Sequence, residues 1–159
     1  MKSSQTRGIL GILSLLILLT LGIGWLGSRA TLPEITGWHA NLTKPTFNPP
    51  NYLFGPVWSA LYILMAESMW MVWKSNQSKL IKTFFVLMLI CNALWSPVFF
   101  KYHQIGWALV VLAFYLITLG AWVRCLYQEN KTAAYLQSPH LLWVSFATIL
   151  NASIYFLNR

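Results

Sequence analysis

The chain has 159 residues, room for one domain and not two, and 57% of them are hydrophobic while only 9% are charged. Soluble domains carry about 25% charged residues, so a mostly water-facing surface is excluded. Eleven Lys and Arg stand against three Glu and no Asp. The basic residues cap apolar runs and form no recognition stripe, which argues against nucleic acid and for lipid phosphates as their partners.

Five apolar stretches succeed one another, each close to the ~20 residues a helix needs to cross hydrocarbon. The first, Gly8–Gly27, lies between Arg7 and Arg29. A signal-peptide reading competes for it, but the apolar core is longer than the usual ~7–15 residues and Gly27-Ser28-Arg29-Ala30 is a poor cleavage site. A connector over 28–52 follows, with Pro33, Pro45, Pro49 and Pro50 beside Trp38, His39 and Phe47. Proline fixes φ and removes a donor, so this segment is expected to be irregular or short-helical, folding over the bundle as an aromatic lid.

The second stretch, Leu53–Trp73, is closed by Lys74 and places Trp58 and Tyr62 on one helical face at i and i+4. It holds Glu67, the one acid inside a span; nine residues past Trp58, it lies about 180° round the helix and faces away from any cavity Trp58 lines. A partner at a helix or subunit interface fits it better than a ligand role. The third, Thr83–Phe100, carries Asn92, Trp95 and Ser96 at i, i+3 and i+4, then Pro97, which frees a backbone carbonyl one turn back. The fourth, Ile105–Val123, ends at Arg124. The fifth, Pro139–Leu157, aligns Trp143, Ala147 and Asn151 on one face. A carboxamide in hydrocarbon is costly unless partnered, so that face turns inward. On periodicity alone, helix–helix adhesion by small and polar residues explains that face better than a cavity wall does.

The architecture expected is an all-α membrane protein, one five-helix transmembrane domain over 1–159. Basic residues count seven on the N-terminal side (Lys2, Arg7, Lys74, Lys79, Lys82, Arg124, Lys131) and four on the other (Arg29, Lys44, Lys101, Arg159), so the N-terminus is expected inside and the lid outside. Few charges and five spans suit a bacterial inner membrane. Trp25, Trp73 and Trp107, near span ends, read as interface anchors. Without Asp there is no Asp-containing triad or acidic metal cluster. His39, His103 and His140 are scattered, and HExxH, CxxC and phosphate-cradling glycine loops are absent. Cys91 and Cys125 share no metal or redox spacing and read as packing residues. No cofactor is required.

The run Trp38-His39-Ala40-Asn41-Leu42-Thr43-Lys44-Pro45-Thr46-Phe47-Asn48-Pro49-Pro50 closely resembles the first loop of the translocator protein family, also called tryptophan-rich sensory proteins. Phe54-Gly55-Pro56-Val57-Trp58 with Leu61-Tyr62, Asn92-Ala93-Leu94-Trp95-Ser96 with Phe99-Phe100, and Trp143-Val144-Ser145-Phe146-Ala147-Thr148 with Asn151 extend the likeness in order along nearly the whole chain. The resemblance implies a dimeric five-helix bundle with a cavity beneath the first loop. It implies porphyrin ligands such as protoporphyrin IX and haem, with sterols and benzodiazepine-type drugs as the ligands of animal members. By the match, Trp58 and Trp143 take the family's two cavity tryptophan positions, Trp38 and His39 fall on the lid, and Asn92 and Ala147 on the wall. Some members carry Tyr where this chain has His39, which offers a ligand for haem iron or an altered lid hydrogen bond.

The expected ligand set is therefore Trp38, His39, Trp58, Tyr62, Asn92, Trp95, Trp143, Ala147 and Asn151. Porphyrin faces stack on indole and phenol at about 0.5–1.5 kcal/mol per aromatic pair beyond area burial. Propionates are expected near Lys44 or Arg29. Light- and oxygen-dependent porphyrin breakdown, reported for some bacterial members, would make Trp58 and Trp143 catalytic. The loose sterol pattern fits both Leu150-Tyr155-Arg159 and Val123-Tyr127-Lys131, and two hits in one short chain weaken it.

Overall fold

A computed structural model describes residues 2–73, 75 and 78–159, with the side chains of 2–10 and 78 left out of the description. Lys2, Arg7 and Lys74, part of the orientation count, lie outside the described side chains.

The described residues are almost entirely helical: α1 Lys2–Ile35, α2 Asn51–Met71, α3 Ser78–Ser96, α4 Ile105–Glu129, a short α5 Lys131–Tyr135 and α6 Ser138–Leu157. Four segments are both long and apolar enough to cross a membrane: Gly11–Ile35, Lys79–Lys101, Ile105–Glu129 and Lys131–Leu157. The remaining long helix, α2, has 21 residues, about 31 Å at 1.5 Å each, but is less apolar. Gly55, Pro56, Ser59, Glu67 and Ser68 lower its hydropathy. Its polar groups find partners inside the bundle: Thr20 Oγ1 donates to the Tyr62 carbonyl at 2.9 Å, and Ser68 Oγ to the Ala133 carbonyl at 2.9 Å.

α4 packs on α3 and α6, and α1 on α2 and α3. The main core gathers Met65, Met69, Met88, Leu112, Leu119, Trp122 and Leu126, all essentially inaccessible. Flexible thioethers fill the irregular gaps between the crossing helices. Outside, Leu15, Leu18, Leu26, Phe114, Ile117, Leu142 and Ile149 stand exposed. So large an apolar exterior is stable in lipid and not in water, which makes this an integral membrane protein.

Several boundaries differ from the sequence expectation: α2 covers Asn51–Met71 and not Leu53–Trp73, and α3 begins at Ser78 and not Thr83. The first helix does not stop at Gly27; it runs to Ile35, so the connector covers 36–50 and not 28–52. Ser28 Oγ and Thr31 Oγ1 donate back to the carbonyls of Trp25 (2.7 Å) and Gly27 (3.0 Å), turning hydroxyls that suggest a loop into helix-compatible groups. Pro33, two residues from the end, interrupts the ladder without stopping it. The fourth helix continues past Arg124 to Glu129, after which the Asn130 side chain accepts from Ala133 N at 3.1 Å and caps α5.

At Pro97 the third span widens into a π-helical turn, Pro97–Lys101, with Tyr102 N bonded to Pro97 O at 2.9 Å. Missing its own N–H, Pro97 favours such a local register change. The turn buries Phe99 and Phe100.

Candidate functional site

A cavity of about 530 Å³ opens at the connector end of the bundle. α2 contributes Trp58 and Tyr62, α3 contributes Asn92, Trp95 and Ser96, the π turn adds Phe99 and Phe100, and α6 adds Ala147, Asn151 and Ile154. The C-terminal part of α1 closes one side with Gly24, Trp25, Ser28 and Thr31, and His39 joins from the short 3-10 helix Trp38–Asn41. Close approach of α1 requires glycine. A Cβ on Gly24 would run into the Tyr62 ring, and one on Gly27 would come within 3.2 Å of Ser96 Oγ.

Seven of the nine sequence-expected residues line this space: His39, Trp58, Tyr62, Asn92, Trp95, Ala147 and Asn151. Trp38 does not. Its indole stacks on His103 (centroids 4.1 Å, 15°) and meets Phe99 edge-on at 5.7 Å, fastening the connector to the loop before α4. His103 Nε2 lies 3.1 Å from Glu34 Oε2, which ties the end of α1 into the same clasp. At φ 55° His103 holds a conformation rare for a side-chain-bearing residue. Trp143 also misses the main cavity. It borders a void of only about 10 Å³ shared with Trp58, Asn92, Trp95 and Ala147, and packs on Phe54 and Phe146 at 5.6 Å each. One helical face thus delivers Ala147 and Asn151 to the chamber and Trp143 to its margin, because the face is wider than the opening. Trp25, read from sequence as an interface anchor, lines the cavity, since α1 continues beyond it; the Arg29 guanidinium sits 5.6 Å from its ring.

Among the described residues no Lys, Arg or Glu lines the cavity. Lys44 Nζ instead donates to the carbonyls of Ala40 and Leu42 at 3.3 Å. Glu67 is half-buried and absent from the lining, as its position on α2 required. Burial, and secondarily the Lys44 charge, push the His39 imidazole below the usual histidine range and keep it neutral.

From the cavity wall a chain of buried hydrogen bonds runs through the bundle. Tyr62 OH donates to Asn92 Oδ1 at 2.7 Å, and Asn92 Nδ2 donates to Tyr115 OH at 3.0 Å. The Tyr115 proton is then directed at His140 Nε2, 2.8 Å away, and His140 Nδ1 donates to Gln137 Oε1 at 3.0 Å. Gln137 Nε2 donates to Leu64 O at 2.9 Å and Ser68 Oγ at 2.7 Å. A second pair braces the wall: Trp95 Nε1 donates to Asn151 Oδ1 at 3.2 Å, and Asn151 Nδ2 to Ile105 O at 2.9 Å. Satisfied networks of this kind fix side-chain orientation in a low-dielectric interior. Two carboxamides in series pass on polarity, not protons, so the chain orients Tyr62 and does not conduct.

Sequence reasoning missed Ser68, Tyr115, Gln137 and His140. The available signal was the recurrence Tyr115, Leu119, Trp122, Leu126 on one face of α4, all buried here.

The description of the TspO/MBR family matches residues 16–157. The chain is 38% identical over 145 residues to the tryptophan-rich protein TspO of Archaeoglobus fulgidus, covering 89% of this chain and 94% of that one. It is 35% identical over 136 residues to the Homo sapiens translocator protein, covering 82% and 80%. With the tryptophan-rich sensory protein of Cereibacter sphaeroides it shares 34% over 121 residues, covering 76% and 77%.

Proposed function

Because the chain belongs to the TspO/MBR family of membrane proteins, we propose that it binds tetrapyrroles of the protoporphyrin IX and haem type within its bundle, as a sensor, carrier or scavenger. One observation carries this reading: a cavity of about 530 Å³ walled by Trp58, Tyr62, Trp95, Phe99 and Phe100, with no charged side chain among its described lining. Pockets of about 300–1,000 Å³ suit one flat organic guest, held by aromatic faces and oriented by a few polar groups. Trp58 lies parallel to Tyr115 (6.5 Å, 15°) and near-parallel to Tyr62 (5.6 Å, 28°), a stack that a further ring extends. Guest carboxylates, excluded by the uncharged wall, would be met by the cations near the lining: Arg29, 5.6 Å from the Trp25 ring, and Lys44, whose charge acts on His39. The names "sensory" and "translocator" borne by relatives accord with sensing and carriage. The expected setting is a bacterial inner membrane with the N-terminus in the cytoplasm, in a homodimer.

Titration of metal-free protoporphyrin IX into detergent-solubilised protein tests the reading. Saturable quenching of Trp fluorescence is expected; a linear, unsaturated response refutes it.

A second reading is light- and oxygen-dependent breakdown of the bound porphyrin. It is favoured by Trp58, an oxidisable indole on the cavity wall that shares a small void with Trp143. If Trp58→Phe bleaches the Soret band under illumination as fast as the parent, that reading fails.

A further inference from the structure

Resting on the tetrapyrrole reading, we propose that His39 is an iron ligand: when the guest is an iron porphyrin, this imidazole binds the metal directly. His39 lines the cavity and is only 8% exposed. Its Nδ1 is enclosed and has no hydrogen-bond partner. No side-chain partner engages its other nitrogen either, among the described residues. Phe99 (6.2 Å) and Phe100 (5.3 Å) hold the ring by packing alone.

The other two histidines differ. His103 is engaged by Glu34, and His140 sits between Tyr115 and Gln137. Nε2 is not among the enclosed, unpartnered atoms, so packing leaves it as the ring nitrogen available to a guest at this cavity wall. Rival donors are weak. No Met or Cys lines the cavity among the described residues, the Tyr62 hydroxyl donates to Asn92, and Tyr52, the other lining tyrosine, is 80% exposed where His39 is enclosed. A neutral imidazole is also the commonest nitrogen ligand for iron.

With Nδ1 enclosed and keeping its proton, the Nε2 lone pair is the donor. One Nε2–Fe bond forms, the iron's bound water or hydroxide leaves to solvent, and no electron changes hands. A metal-free ring offers no such bond, so His39 selects for the iron-loaded guest over the empty macrocycle.

The test titrates haemin and metal-free protoporphyrin IX in parallel into the full-length protein in lipid nanodiscs, read by Soret absorption and by EPR of protein labelled with 15N-histidine. The wild type is expected to give an imidazole-ligated ferric spectrum with 15N coupling. His39→Ala should abolish that spectrum and lower the haemin-to-protoporphyrin affinity ratio by about tenfold or more, and added imidazole should restore the band. His39→Gln, matched for polarity, should lose the spectrum too, with its thermal midpoint confirming the fold. Haemin bound without 15N coupling, or an unchanged spectrum in either variant, overturns the proposal while protoporphyrin binding keeps the broader reading intact. Failure of both ligands to bind the wild type overturns both.

Discussion

The two ends of the bundle are built on opposite terms. At the connector end, α1, α2, α3 and α6 diverge round a chamber, and two ring nitrogens there, on His39 and Trp143, are buried without partners. At the far end Met65, Met69, Leu119, Trp122 and Leu126 pack with no accessible surface, and Ser68, Gln137 and His140 are joined in one hydrogen-bonded chain. Even there the Trp122 Nε1 lacks a partner, so the contrast lies in packing and connected polar groups rather than perfect satisfaction. The difference teaches a division of labour. The closed end supplies stability, and the open end spends some of it on space for a guest. Tyr62 and Asn92 join the two, since both line the cavity and begin the polar chain.

The contrast can be broken most forcefully at Trp122. Trp122→Ala leaves a large void in the closed end and should cost about 3–5 kcal/mol. A fall in the denaturation midpoint in detergent would show it, and an unchanged midpoint would mean this end is not the framework. Next, His140→Leu leaves the Tyr115 hydroxyl and the Gln137 carbonyl without their partner, at about 1–3 kcal/mol for each group. It should lower stability and, through the loosened Tyr62, weaken protoporphyrin binding in the protein that remains folded. Gly24→Ala drives a methyl against the Tyr62 ring; overpacking costs about 1–3 kcal/mol. The loss is expected mainly in ligand affinity, because the strain falls on a cavity wall.

Trp58→Leu removes one stacking surface, and protoporphyrin should bind about two- to twelvefold more weakly, the equivalent of 0.5–1.5 kcal/mol. Its thermal midpoint should barely move; a large drop would place Trp58 in the framework. The smallest effect is on pH. The His39 imidazole titrates below its usual value of about 6.5 when the connector is docked. The unfolded chain therefore binds a proton the folded one refuses. Stability is full above about pH 6.5 and declines as pH falls towards the folded value. Thermal midpoints of wild type and His39→Gln should diverge only on that acid side, and parallel curves would remove His39 as the cause.

Much of the cavity lining was legible as shared helical faces, which periodicity supplied and the family resemblance marked as a cavity wall. Trp58 with Tyr62, Asn92 with Trp95, and Ala147 with Asn151 are local pairs, and all six line the cavity. The placement of Glu67 away from Trp58 followed from the same arithmetic. Trp143 and Trp38 show the limit. Each belongs to the right segment, yet one ring borders a separate small void and the other is captured by His103. Trp25 errs the other way, for its role depends on where α1 ends.

The sequence by itself determined the lipid-facing character of the chain and its succession of long helices. Both follow from free energies that add along the chain: apolar area moved out of water and backbone hydrogen bonds closed within each segment. Only the tertiary structure decided which side chains share the chamber and which share the polar chain. Tyr62 and Asn92 are 30 residues apart and Gln137 and Leu64 are 73 apart. Such pairings depend on the rotation and depth of neighbouring helices, and no local pattern encodes them.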